Sequence, residues 1–357
     1  MLRIKGYYLI LSREALYLEF IKKITFVKLR VIKMEGALLF LFAVGLDLVL
    51  GDPRWFPHPV KGMGWLIRVL EGILRKVFSP FWGGVVLWVI VVGLSFGVSI
   101  LVLELAYGLS VWVGRAVEVF LLWTTISLKD LKDHARRVFL ALKSGDLEGS
   151  RKRLSLMVSR DTQDLSEEDI ARGVIESVAE NTTDGIVSPL FYAFLGGTPL
   201  AMAFKAVNTL DSMVGYKSSQ YILFGRFSAL MDDLFNFIPA RITGLLVPLA
   251  ALLLKMDAKN ALFTMIRDHR KTKSPNSGYP ESAFAGALDL KLGGPTRYMG
   301  QLQNLPFIGE GKTPTFEDIP KAIKLCYGTS LLFLTIGTLF LLLFCPAYPC
   351  LLKAWHL

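Results

Sequence analysis

Residues 159–197, SRDTQDLSEEDIARGVIESVAENTTDGIVSPLFYAFLGG, decide how the chain is read, because the two halves of the stretch differ in character. Up to Asp184 it is polar, and Glu176, Glu180 and Asp184 recur at every fourth residue. On a helix that spacing stacks three carboxylates on one face. Like charges so placed repel by roughly a few tenths of a kcal/mol per pair, so the stack needs water or a cation. From Ile186 the chain turns apolar. The switch predicts an acidic site at the edge of a membrane-embedded scaffold, with a solvated acidic helix face as the competing reading.

Composition supports a membrane setting. Of 357 residues, 53% are hydrophobic, and the mean hydropathy of +0.47 exceeds that of ordinary soluble chains. The 40 basic and 30 acidic residues leave a formal charge of +10. In a membrane protein such an excess belongs to cytoplasmic loops and lipid headgroups. No basic-aromatic interleaving points to nucleic acid. Cys326, Cys345 and Cys350 form no CxxC pair, and four histidines are too few for a His-rich zinc site.

Working outward, residues 1–33 form a basic extension that reads either as a surface helix or as sequence upstream of a start at Met34. Residues 34–357 read as one membrane domain. Residues 37–50 are apolar but short for a crossing, and Asp47 interrupts them. Residues 83–103 and 105–126 read as a helical hairpin, residues 186–204 and 238–254 as broken apolar segments, and residues 325–344 as a late span. The polar segments at about 128–185 and 255–324 carry the basic residues that the positive-inside rule assigns to the cytoplasm. The expected fold is all-α, a polytopic integral membrane protein with about four or five transmembrane helices and helical cytoplasmic loops.

Five groups carry candidate chemistry. In GDPRWFPHP, residues 51–59, three prolines stiffen a turn that presents Asp52, Arg54 and His58. Arg160 is suited to bidentate binding of phosphate or carboxylate, while Ser166 with Asp169 resembles a helix cap. Glu176, Glu180 and Asp184 offer the oxygen ligands that hard cations take. Lys205, Asn208, Asp211 and Lys217, then Arg226 and Asp232, place charges in a largely apolar stretch, where they are costly unless functional or paired. His269 and Lys271 lead into SPNSGYPES, whose Asn276 and Ser277 sit in a loop able to offer N–H groups to an anion.

Several blocks together strongly resemble the CobD/CbiB family of cobalamin biosynthesis. They are GDPRWFPHPVKGMGWLI, the opening stretch, KAVNTLDSMVGYKSSQY, GRFSALMDDLFNFIPARI and HRKTKSPNSGYPESAFAGALDLKLGG, and the resemblance runs from about Met34 onward. It implies a multi-pass enzyme of the cytoplasmic membrane, adenosylcobinamide-phosphate synthase. The implied reaction joins adenosylcobyric acid to an aminoalcohol phosphate, typically (R)-1-aminopropan-2-ol O-phosphate, through an amide, with ATP and Mg²⁺. An activated acyl phosphate is then expected, because a carboxylate does not acylate an amine at neutral pH. On chemistry and position, Glu176, Glu180, Asp184, Asp211 and Asp232 are candidate Mg²⁺ ligands. Arg54, Arg160, Lys205, Asn208, Lys217, Arg226, Lys271, Asn276 and Ser277 are candidate substrate or phosphate contacts. His58, Asp52, His269 and Asp184 are candidates for proton handling and catalysis. The expected partners are the corrinoid, the aminoalcohol phosphate, membrane lipid and other enzymes of the pathway, with no nucleic acid. Two alternatives stand beside this reading. One is an intramembrane prenyltransferase using the aspartates of residues 208–211 and 232–236; the other is a corrinoid transporter or binding component.

Overall fold

The computed structural model describes residues 36–52, 58–215 and 220–344. The basic extension, Arg54, Lys217, Cys345 and Cys350 lie outside the described residues. The chain is helical almost throughout. In order come α1 (Gly36–Leu50), α2 (Pro59–Val77), α3 (Pro80–Leu109), α4 (Val111–Trp123), α5 (Leu128–Lys143), α6 (Leu147–Leu154) and α7 (Glu167–Thr182). A π turn (Thr183–Val187) joins α7 to α8 (Ser188–Val214), which is followed by α9 (Arg226–Leu253), α10 (Ala258–Asp268) and α11 (Gly278–Leu288). Four short strands, β1 (Leu292–Gly293), β2 (Thr296–Tyr298), β3 (Gln301–Gln303) and β4 (Phe307–Ile308), precede α12 (Ile319–Phe344). β1 pairs with β4 and β2 with β3, both antiparallel.

Five segments are long and apolar enough to cross a membrane: Pro80–Leu109, Val111–Lys143, Glu167–Val214, Arg226–Leu253 and Phe316–Leu343. The protein is a polytopic, all-α integral membrane protein. The expected hairpin differs in its joint, because the chain breaks at Ser110, whose hydroxyl accepts from the Val113 N–H at 3.2 Å and caps α4. α3 therefore runs for 30 residues, while α4 alone is a short 13-residue helix. Along α3, Val89, Val98 and Leu105 are exposed and suit lipid, whereas Gly84, Ser95 and Ser99 face inward. A side chain at Gly84 would meet the Phe224 carbonyl at 1.8 Å, so glycine alone permits this approach.

Of the breaks expected at Pro189, Gly196, Gly197 and Pro199, the one at the glycine pair is real. Pro189 falls in the first turn of α8, directly after the π turn. Gly196 and Gly197 leave helical geometry, Gly197 with φ of 74°, so α8 is two helical stretches joined at a kink, the second running to Val214.

The larger correction concerns residues 128–185, expected as a polar segment. α7 is a core helix: Ile170, Val174, Ile175, Val178 and Ala179 are buried, and it packs against α5, α11 and α12. Ser166 accepts from the Asp169 N–H at 3.2 Å and caps it, with Glu167 and Glu168 favourably placed in the first turn. Its acidic face is therefore not spread over an outer surface; it looks into the interior.

Candidate functional site

α7, the π turn, α8, α9 and α11 surround a cleft, and the strand region after α11 covers it. The main chamber has a volume of about 660 Å³. A smaller one of about 330 Å³ shares Glu180, Asp184 and Asp211 with it. The π turn is a local widening of the helix, a feature frequent at functional sites. Here it carries Asp184.

Some acidic groups at the cleft are already engaged. One Glu176 oxygen takes a hydrogen bond from Arg160, and the other accepts from the Gly293 N–H at 2.6 Å. Burial disfavours the Arg160 cation, but the Glu176 carboxylate outweighs it and holds the guanidinium more firmly protonated. Asp161 accepts from the N–H groups of Met299 and Gly300, at 3.1 and 2.7 Å. Adjacent residues Arg160 and Asp161 thus fasten the strand region over the cleft, the first through Glu176 and the second directly.

Other acids carry weaker compensation. Asp232 is buried and accepts from the side-chain amides of Asn236 at 3.0 Å and Asn208 at 3.4 Å. Ser188 orients Asn236 by donating to its Oδ1 at 2.6 Å. Asp211 lines both chambers, and Glu180 is open to the cleft. Lys205 interacts electrostatically with both Asp184 and Asp52. The residues from α7, α8 and α9 expected to act together do meet here.

The remaining candidates divide. Lys271, Asn208 and Ser277 line the main chamber, and Asn276 lines the smaller one. Asn276 also ties the loop to α9, donating to the Asp233 carbonyl at 2.7 Å and accepting from Arg241 at 3.1 Å. His58 Nδ1 caps α2 by accepting from the Val60 N–H at 3.3 Å, and its Nε2 lies 3.3 Å from Asp52. Neither His58 nor Asp52 lines either chamber. His269 lies outside both as well, with Nδ1 at 3.0 Å from the Met265 carbonyl and its ring against Tyr279. Arg226 opens α9 on an exposed position away from both chambers.

Among the lining residues that escaped the sequence reading are Glu281, Tyr298 and Thr183. Glu281 stands in the first turn of α11, within the SPNSGYPES loop already noted. Burial first, then the neighbouring Glu176 and Glu180 carboxylates, hold it well above the ordinary glutamate range. Burial likewise pushes the Tyr298 phenol up. Asp233, part of the aspartate run at 232–236, lines the smaller chamber as well, and nothing in the sequence marks Thr183 or Tyr298.

Chemically, the site is a pocket of oxygen donors with basic groups at Arg160, Lys271 and Lys273. Among the described residues no three acidic, histidine or cysteine side chains are drawn close enough to cage a metal unaided. The donor set fits Mg²⁺ all the same, since that ion takes one or two carboxylates and completes its shell with water and phosphate oxygens.

Comparison with known proteins follows the same outline. The family model described as CobD/Cbib protein matches residues 40–326. The chain is 46% identical over 296 residues to "Cobalamin biosynthesis protein CobD" of Klebsiella pneumoniae, covering 82% of this chain and 93% of that protein. It is 43% identical over 310 residues to the protein of the same name from Clostridium tetani, covering 85% and 97%. "Cobalamin biosynthesis protein CbiB" of Salmonella paratyphi B is 45% identical over 297 residues, covering 82% and 93%. No solved structure is significantly similar to the chain.

Proposed function

Because the chain belongs to the CobD/CbiB family of cobalamin biosynthesis, we propose that it is the ligase that joins adenosylcobyric acid to an aminoalcohol phosphate. The bond formed is an amide, and the preferred amine is (R)-1-aminopropan-2-ol O-phosphate. The γ-phosphoryl group of ATP passes to the free carboxylate, giving an acyl phosphate and ADP. The amine attacks that carbonyl, phosphate leaves, and the nitrogen gives up a proton. Mg²⁺, when bound, neutralises charge on the phosphoryl oxygens.

The observation that carries this reading is the cleft itself, where carboxylates from four helical elements face a loop bearing Lys271 and Lys273. Phosphoryl transfer asks the protein mainly for positioning and for charge stabilisation. Arg160 and Lys271 are suited to hold substrate carboxylate or phosphate groups, with Ser277 donating from the loop. Asp184 and Asp211 stand where the two chambers meet, so a group carried between them passes both. The positive-inside rule, applied to the basic loops, supports a cytoplasmic position for the cleft, the side that holds ATP.

Purified protein is expected to convert adenosylcobyric acid to adenosylcobinamide phosphate only when ATP, Mg²⁺ and the aminoalcohol phosphate are all present. Product formation without ATP, or none with all four components, removes the ligase reading.

A further inference from the structure

α2 is not among the segments apolar enough to cross a membrane, yet much of its outer surface is apolar. Its inner face, with Met63, Ile67 and Leu74 buried, packs against α3 and α8. Outside, Trp65, Val69, Ile73 and Val77 recur at every fourth residue and are 40–67% exposed. That period lays them along one flank of the helix. Lys61, Arg68 and Lys76 are exposed as well, and the same geometry puts them on the adjoining flank. Glu71, the one acid of α2, is bonded to Arg75 at 2.9 Å.

Contacts at both ends fix how α2 lies. Near its start, a Cβ at Gly64 would come within 3.4 Å of Met213 Sδ, on the last turn of α8. Near its end, Arg75 donates to the Gln220 carbonyl at 3.2 Å and lies over the Phe224 ring at 4.1 Å. Phe224 in turn sits against Gly84 at the start of α3, and Gly225 against the Val214 carbonyl at the end of α8. The helix between Gly64 and Arg75, about 16 Å long, therefore stays at one end of the bundle and crosses the end of α8. α3 leaves from that same end, with Trp82 exposed in its first turn. The apolar flank of α2 thus runs on through Trp82 into the side of α3 that suits lipid. Exposed tryptophans at such a level are typical of the membrane interface.

We infer that α2 is an interfacial helix that binds anionic phospholipid. Its apolar flank sits among the upper acyl chains, and Lys61, Arg68 and Lys76 meet the headgroup phosphates. Continuity with the lipid-facing side of α3 and the excess of positive charge both favour a lipid surface over a protein partner. A consequence reaches the cleft. Ser212 and Gly215, at the end of α8 that α2 crosses, line the larger chamber. Seating α2 among the headgroups therefore opens that chamber at headgroup depth. Neither statement depends on the ligase reading.

The test uses the full chain in a cysteine-free background, carrying a nitroxide at Ile73→Cys or, as a control on exposed α6 surface, at Lys152→Cys. In phosphatidylcholine vesicles containing phosphatidylglycerol, oxygen, which concentrates in lipid, should relax the label at position 73 more than a water-soluble nickel chelate does. The control should show the reverse. In detergent, phosphatidylglycerol titrated against the same label should bind more tightly than phosphatidylcholine. The double variant Arg68→Gln, Lys76→Gln should lose that preference, by about 5-fold for each basic group removed. Both side chains are exposed, so the variant should keep its melting temperature, which confirms that it is folded. A label at position 73 as open to the nickel chelate as the control overturns the inference. Dipolar broadening between labels at position 73 also overturns it, because the flank is then a contact between two copies. So does a preference for phosphatidylglycerol that survives in the double variant. Protein that meets these expectations but makes no amide leaves the interfacial helix standing and removes only the ligase reading.

Discussion

Asp268 and Asp232 are both buried carboxylates, yet the fold surrounds them differently. Asp268 ends α10 and accepts two hydrogen bonds from Arg267, one from Lys271 and one from the Gly309 N–H, all at 2.8 Å. Burial alone would raise its pKa, but these donors outweigh it and pull the group down to about 2. Asp232 meets two neutral side-chain amides, one of them at the long distance of 3.4 Å. The first acid is matched within the protein and joins α10 to the strand region. The second has its direction fixed by neighbours, with two neutral amides as its side-chain donors among the described residues. A buried charge matched internally reads as architecture, and one only oriented reads as a binding group.

The comparison breaks most readily at activity. D184N and D232N are expected to lower amide synthesis by about 10²–10³-fold, the scale of losing one electrostatic contact in a transition state. Neither should lower the melting temperature, since each removes charge from an acidic cluster. A matching loss of stability in D232N would place it with Asp268.

D268N should act in the opposite sense. It leaves the partly exposed Arg267 and Lys271 facing a neutral amide, which costs roughly 1–3 kcal/mol of stability, the scale of charge-assisted hydrogen bonds lost. The pH dependence has a definite sign. A depressed pKa in the fold contributes stability above the ordinary aspartate value, and that contribution fades as pH falls from about 4 towards 2. Thermal melts of the unmodified protein and D268N should therefore converge in acid; parallel curves would exclude Asp268 as the anchor.

Glu281 sharpens the contrast from the other side, because its pKa is raised in the fold. The folded state then binds more protons than the unfolded one, and stability falls as pH rises above the ordinary glutamate value. E281Q should melt higher than the unmodified protein at pH 8, with the difference closing towards pH ~4.5. The smallest effect is expected at the clamp on the strand region. D161N should cost about 1 kcal/mol and speed amide exchange at Met299 and Gly300 while leaving α10 protected.

The opening stretch shows how far sequence reaches. The polar-to-apolar switch after Asp184 marked the point where the chain leaves the cleft wall and enters a segment apolar enough to cross a membrane. The Ser166 cap was legible because capping is local. What the stretch hid was the burial of α7, since its apolar residues fall on faces covered by α5, α11 and α12, and those partners lie far along the chain. Glu176 shared its four-residue spacing with Glu180 and Asp184, yet it pairs with Arg160 and the Gly293 N–H, across 16 and 117 residues. Periodicity reports which face a side chain occupies and not what the tertiary fold brings to that face. For the same reason His58 and His269, attractive by type, lie outside both chambers, the first capping α2 and the second with its ring tilted against Tyr279 at 4.5 Å between centroids. Glu281, carried by a loop already singled out, emerged only once α11 was set opposite α7.

The most direct measurement is amide synthesis by the purified full chain with adenosylcobyric acid, the aminoalcohol phosphate, ATP and Mg²⁺, run in parallel on the unmodified protein, D232N and D268N at a temperature where all three remain folded. The account predicts adenosylcobinamide phosphate from the unmodified protein and from folded D268N, and almost none from D232N. Undiminished synthesis by D232N, or no synthesis by the unmodified protein, would contradict it.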